Sequence, residues 1–156
     1  MKKNKLFKLR KEFITYNIDG YIIPKNDEFF GEYVDPCNER LKYLTGFSGS
    51  AGQALVLKNK AFLFVDGRYT LQAQKEIKKG FKVIQIHKMK PLEILRKNKQ
   101  KLRIGFDPKL YSVTSLINVF KTKNIKLIFI KKNLIDKIWS DKPKPKFNKF
   151  FILKTK

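Results

Sequence analysis

One cysteine, Cys37, and one histidine, His87, occur in 156 residues. A single thiol excludes an intrachain disulfide and a thiolate zinc site, both of which need partners. A single imidazole is the stronger restriction, because a hydrolytic two-metal centre needs roughly five carboxylate or imidazole ligands converging within ~4 Å of one another. None of the 13 acidic residues stands beside His87 in an HxxxH, HExxH or DxD pattern. The chain is therefore expected to hold no catalytic residue and no metal ligand of its own. Long apolar runs are also missing: none approaches the ~20 residues of a membrane span. The basic opening, MKKNKLFKLRKEF, is not followed by the ~7–15 apolar residues of a secretory leader. Lys8, Arg10, Lys11 and Glu12 break every candidate run. A soluble, cytoplasmic protein without a membrane partner is the expectation.

Acidic residues are few against 36 basic ones, for a net charge of +23. Such a balance suggests a nucleic-acid partner. The basic residues, however, are 31 lysines and only 5 arginines, spread along the whole chain. Readers of bases and phosphates favour arginine, whose planar fork bonds in pairs. Isoleucine (16) is abundant and alanine (4) scarce, the pattern that an A/T-rich codon bias produces without selection for a partner. No specific nucleic acid is expected, only salt-sensitive adhesion to polyanions. Against this lysine background the five arginines, Arg10, Arg40, Arg68, Arg96 and Arg103, become the informative cations.

A chain of this length buries roughly 70% of its unfolded surface, enough for one domain without staples. Leu6, Leu9, Phe13 and Ile14 recur at helical spacing and predict a helix ending near Asn17. Asp19-Gly20 turns into the apolar run Tyr21–Ile23, a buried strand closed by Pro24. Residues 25–37 read as a loop with room for one helical turn, and Glu39–Leu44 as a short helix stopped by Gly46. Gln53–Leu57 and Ala61–Val65 form a hairpin around Lys58-Asn59-Lys60. Asp66 caps a helix expected over Gly67–Lys79, with Tyr69, Leu71 or Gln72, Ala73 and Ile77 on its apolar face and Gly80 ending it. Strands at 82–87, 103–106 and 125–130 alternate with helices at 91–96, 113–123 and 134–139. This alternation predicts a three-layer α/β fold, a mixed sheet of about six strands with helices on both faces. From Ser140 the sequence SDKPKPKFNK reads as an extended linker, and FFILKTK as the start of an unpaired strand.

Most candidate chemistry has a plain structural reading. His87 ends a strand, and Cys37 follows Pro36 in a loop with no visible base. Ser48 and Ser50 lie in GFSGSAG, which runs into a strand, whereas a nucleophile elbow runs from strand into helix. No Lys-Ser/Thr follows its glycines, so it is no phosphate cradle. Asp66-Gly67-Arg68-Tyr69 differs. It falls where a strand ends and a helix begins, the place where open α/β sheets gather ligands. Arg68 would occupy the first helical turn, against the macrodipole's preference. Two readings are open: an internal ion pair with Asp66 or Glu32, or a grip on a carboxylate or peptide carbonyl.

Four segments in order resemble one family. IDGYIIPKNDEFFGEYVDPCNERLKYLTGFSGSAGQALV (Ile18 to Val56), FVDGRYTLQAQKEI (Phe64 to Ile77), IGFDP (Ile104 to Pro108) and NLIDKIWSDKPKPK (Asn133 to Lys146) are similar to the opening domain of aminopeptidase P, the Xaa-Pro aminopeptidases. The resemblance implies a creatinase-type N-terminal domain over residues 1–139, with 140–156 as the linker and the start of a second domain. It also implies a homodimeric parent enzyme acting on peptides with proline in second place. Two divalent ions, usually manganese, would sit in a separate catalytic domain whose ligands have no counterparts here. By resemblance Arg68 is the substrate-contacting member of the Asp-Gly-Arg-Tyr motif, which favours the second reading above. Phe29 stands where many members have histidine and Ser48 where they have aspartate, so the detail of the substrate mouth departs from the family. Creatine amidinohydrolase uses a related domain, but the Asp-Gly-Arg-Tyr and Ile-Trp segments match the peptidase. The alternatives are a stand-alone interaction domain of this fold and a basic polyanion-binding protein.

Overall fold

The computed structural model describes residues 4–98, 100–120 and 124–145. The first helix, α1 (Lys5–Thr15), is capped by Asn4, whose side chain accepts from the Leu6 amide at 3.0 Å. It buries Leu6, Leu9 and Phe13, while Ile14 is 84% exposed. Ile14 belongs to the expected apolar stripe only by spacing; it lies one residue beyond Phe13, about 100° further round the helix, on the solvent side. Asn17 ends the turn at φ 48°. The Ile18 amide donates to Phe13 O (3.0 Å) and the Asn17 amide to Ile14 O (3.2 Å). This is a Schellman closure, and Ile18 and Phe13 are buried beside it.

Among the described residues six strands follow: β1 (Gly20–Pro24), β2 (Gly52–Leu57), β3 (Ala61–Val65), β4 (Lys82–Gln85), β5 (Leu102–Phe106) and β6 (Ile125–Phe129). They form one sheet in the order β4-β3-β2-β1-β5-β6. The β1–β2 and β2–β3 pairs are antiparallel and the other three parallel. Of these six described strands, five therefore share one direction and β2 opposes them. The register sets Ile22 against Leu55 and Leu55 against Phe62.

Period-two alternation divides the core between the faces. Tyr21, Ile23, Ala54, Val56, Leu63 and Val65 face one way, toward α1, α2 (Arg40–Thr45), α3 (Thr70–Glu76) and α6 (Leu134–Ile138). Ile22, Leu55, Phe62, Phe64, Ile104 and Phe106 face the other, where α4 (Pro91–Arg96) and α5 (Val113–Phe120) lie. The mixed six-stranded sheet with helices on both faces agrees with the fold class expected from the sequence.

The helix expected over Gly67–Lys79 is shorter. It opens as a 3-10 turn, Gly67–Tyr69, and ends at Glu76. Ile77 is already extended, at φ −64° and ψ 133°, because the Lys78 amide donates across to Thr45 O at 2.9 Å instead of continuing the helix. Gly80 lies in the following turn and does not cap the helix. Leu71 is 74% exposed, so Ala73 alone of the expected face is fully buried. The β4 strand stops at Gln85 and leaves His87 in a turn. Residues 140–145 form neither helix nor strand; the expected end of α5 at Lys123, residues 146–149 of the linker and the strand start FFILKTK lie outside the described residues.

Candidate functional site

Because five strands run in one direction, their carboxyl ends share a rim, together with the start of β2. To it come the loop after β1, the FSGSAG segment, Asp66-Gly67-Arg68-Tyr69 after β3, His87 after β4 and Asp107 after β5.

Asp66 caps the turn as the sequence suggested: its Oδ1 accepts from the Arg68 amide (3.0 Å) and from Arg68 Nε (2.9 Å). The backbone bond first, then the side-chain bond, holds the Asp66 carboxyl below its ordinary pKa, with a smaller charge contribution from His87. The Asp66 bond correspondingly raises Arg68. Of the guanidinium's five donors, this bond uses one. No hydrogen bond among the described residues reaches the Arg68 Nη groups, and the side chain is 77% exposed. The internal ion pair with Asp66 thus exists, and it leaves the outer fork for another acceptor.

FSGSAG is tied to α3. Glu76 accepts from the Ser48 amide (2.7 Å), Ser48 Oγ (2.8 Å) and Gln72 Nε2 (3.0 Å). Ser50 Oγ lies 2.7 Å from Tyr69 Oη, and Phe47 meets Tyr69 edge to face at 5.8 Å. A Cβ on Gly49 would stand 2.3 Å from Phe47 Cζ and 2.9 Å from Tyr69 Cδ1, so only glycine fits between the rings. Partial burial raises the Glu76 pKa, but the Gln72 and Ser48 bonds outweigh it and the net shift is downward. A depressed folded-state pKa stabilises the fold above the unfolded pKa, and that contribution disappears as pH falls through the folded value. Glu76→Gln is expected to flatten the acid limb of the stability–pH curve below roughly pH 4–5 and to speed hydrogen exchange at the Ser48 amide. An unchanged acid limb would show that the carboxylate does not hold this loop.

The loop after β1 stands on buried polar pairs. Lys25 is bonded to Glu39. Asp27 accepts from the Phe29 amide (3.0 Å) and Asn38 Nδ2 (3.3 Å). Arg40 forks onto Asp136, and Asn133 Nδ2 donates to Asp107 at 2.9 Å. These anchors hold up a crest of exposed aromatics, Phe29, Phe30 (φ 55°) and Tyr33. Sequence spacing does not reveal this network, since Arg40 and Asp136 are 96 positions apart; the one signal was an arginine among lysines. Arg10 and Arg103 are explained likewise, each donating Nε to a backbone carbonyl, of Leu57 and Asn17.

Cys37 is buried, and burial first, then Asp35, pushes its thiol above the ordinary pKa; it is no ready nucleophile. Among the described residues no group of three or more His, Cys, Asp or Glu could hold a metal ion. No described helix is long and apolar enough to cross a membrane.

Comparison with known proteins agrees with this fold. The family model described as the Creatinase/Prolidase N-terminal domain matches residues 5–135. A probable Xaa-Pro aminopeptidase P of Laccaria bicolor is 35% identical over 97% of this chain, which spans 25% of that protein. Aminopeptidase P2 of Arabidopsis thaliana is 37% identical over 90% of this chain and 21% of its own length. The chain thus spans about a quarter of the curated relatives it matches. Among solved structures, the X-prolyl aminopeptidase of Caenorhabditis elegans, described as a cytosolic enzyme with a di-nuclear active site, superposes with a TM-score of 0.82 at 29% identity, covering 90% of this chain and 26% of that one. The N-terminal domain of the cytoplasmic peptidase PepQ from Mycobacterium tuberculosis shares the fold at a TM-score of 0.65 and 23% identity, covering 86% of this chain and 97% of that one. The chain belongs to the creatinase/prolidase N-terminal domain family, in the company of the Xaa-Pro aminopeptidases.

Proposed function

We propose that residues 1–139 form the non-catalytic N-terminal domain of a cytosolic Xaa-Pro aminopeptidase, and that 140–156 lead into a further domain. In this reading Arg68 grips the peptide substrate, whose second residue is proline, and the whole enzyme is a homodimer. Two divalent ions, of which manganese is the expected pair, would supply the hydrolytic chemistry from residues outside this chain. The described side chains include no cluster that fits them. The observation that carries the reading is Arg68: steadied by Asp66 at Nε, exposed, with its outer donors toward solvent on the carboxyl-end rim. A guanidinium presented this way suits a carboxylate or peptide carbonyl.

The test uses the enzyme in which this domain is joined to its catalytic domain. A hydrogen bond to a charged group contributes about 1.5–3 kcal/mol, so Arg68→Ala is expected to lower kcat/KM on an Xaa-Pro peptide by roughly 10–100-fold. Thermal stability should hold, because the side chain is exposed. Arg68→Lys should restore only part of the loss, since an ammonium cannot make the paired bond. Unchanged kcat/KM in Arg68→Ala would remove Arg68 from the substrate mouth. Cleavage of the same peptide by the 156-residue chain alone, with manganese supplied, would overturn the non-catalytic assignment.

A further inference from the structure

At the margin of the sheet away from β6, β4 is the terminal strand, and among the described residues no strand pairs with its outer side. The Ile86 amide donates to Val65 O at 2.9 Å. Backbone groups of successive strand residues point to opposite sides, so Ile84 and Ile86 turn toward β3 while Val83 and Gln85 turn outward. The Gln85 carbonyl is taken by the Lys88 and Met89 amides, at 3.0 and 3.2 Å. The Val83 amide, the Val83 carbonyl and the Gln85 amide meet no hydrogen-bond partner among the described residues. That is the donor–acceptor–donor set an added strand would satisfy.

The same edge opens into a cavity of about 880 Å³ that continues beneath the end of α4 to Leu102. Its floor is apolar, with Phe62, Ile84, Met89 and Ile94, and its rim carries Lys58, Lys60, Lys82, Lys88 and Lys97. Asp19 is the one carboxylate among the described lining residues, and Lys58 already pairs with it at 2.5 Å. Lysine is common everywhere in this chain, so the rim's charge alone would mean little. Here it coincides with unpaired backbone groups and an apolar floor. Lysines at an edge also deter pairing between like copies. The same charges that repel a second copy, itself at +23, attract a strand of opposite sign.

We infer that the open edge of β4 with its lysine-rimmed groove is a docking site for an extended acidic peptide segment of another protein, one that alternates carboxylate and aliphatic side chains. The segment adds as a seventh strand; its carboxylates meet the lysine rim and its aliphatic side chains enter the groove. Arg68 is not among the residues that line the groove, so this does not depend on the peptidase reading.

The probe is a synthetic peptide of about eight residues, strand length, alternating glutamate and valine, titrated into the isotope-labelled chain while amide chemical shifts are followed. Saturable shifts at Val83 and Gln85 are expected. Charge reversal in Lys82→Glu/Lys88→Glu, both at exposed positions, should weaken binding at least about tenfold, or roughly 1.4 kcal/mol. Of the two peptides methylated on alternate amides, one phase should lose binding and the other keep it, which charge attraction alone cannot produce. Equal binding by both methylated peptides, or by polyglutamate without shifts at Val83 and Gln85, would overturn the site. So would concentration-dependent shifts of these amides without peptide, which would mean that a second copy occupies the edge.

Discussion

Arg40→Ala is expected to lower the unfolding free energy by about 3–5 kcal/mol, the cost of removing one member of a buried ion pair. The Arg40 side chain is 6% exposed. Its Nε and Nη2 each lie 3.0 Å from an oxygen of Asp136, and Nη1 lies 3.4 Å from Glu28 Oε2. Burial opposes the guanidinium's charge, but the Asp136 bonds outweigh it, with further support from Glu28 and Asp107, and its pKa is raised. Truncation would leave Asp136 with Lys142, 3.0 Å away, so the loss should fall toward the lower end of the range. Arg40→Met combined with Asp136→Leu should recover most of it, since an apolar pair of similar volume carries no desolvation cost. The measurement is denaturant unfolding followed by fluorescence of Trp139. This is the one tryptophan in the chain, and it is stacked on Tyr43 at 4.4 Å between α2 and the exit segment. A loss below about 1 kcal/mol, the value of an exposed pair, would show that α2 and α6 are joined by other contacts.

Gly46→Ala comes next, with an expected loss of about 2–4 kcal/mol from left-handed backbone strain and overpacking together. Gly46 closes α2 at φ 88°, donating its amide to Lys42 O at 2.8 Å. A Cβ there would lie 2.5 Å from the backbone carbonyl oxygen of Glu76. That oxygen cannot move cheaply, because the Lys78 amide two residues on is bonded to Thr45 O. The strain should therefore pass to Glu76 and loosen its hold on Ser48, visible as faster hydrogen exchange there. Gly31→Ala is the control: a Cβ on Gly31 meets nothing closer than 3.5 Å, and stability should be unchanged. Equal stability of the two variants would mean that the α2 and α3 ends are not in register as described.

Much of this architecture was legible in the sequence. Apolar runs such as Tyr21–Ile23 and Ala61–Val65, bounded by turn residues, leave little choice but buried strands. Asp66 as a cap and Gly46 as a helix stop follow from local backbone chemistry, which acts over a few residues. Arg68 was singled out by the same local rule, a cation at the wrong end of a helix. The reading failed where a residue's fate depends on a distant partner. Spacing places Ile14, and Leu71 or Gln72, on apolar stripes, yet Ile14 is 84% and Leu71 74% exposed among the described residues. Nor does spacing join the Glu76 carboxylate to Ser48, 28 positions earlier.

The amino-acid sequence by itself determined the order and kind of the elements, because these rest on residue type and near-neighbour spacing. The tertiary structure alone decided which carboxylate pairs with Arg40, that FSGSAG is tied to α3, and that β4 is a terminal strand of the sheet among the described residues. Such pairings join residues distant along the chain, and only the folded chain brings them within hydrogen-bond reach.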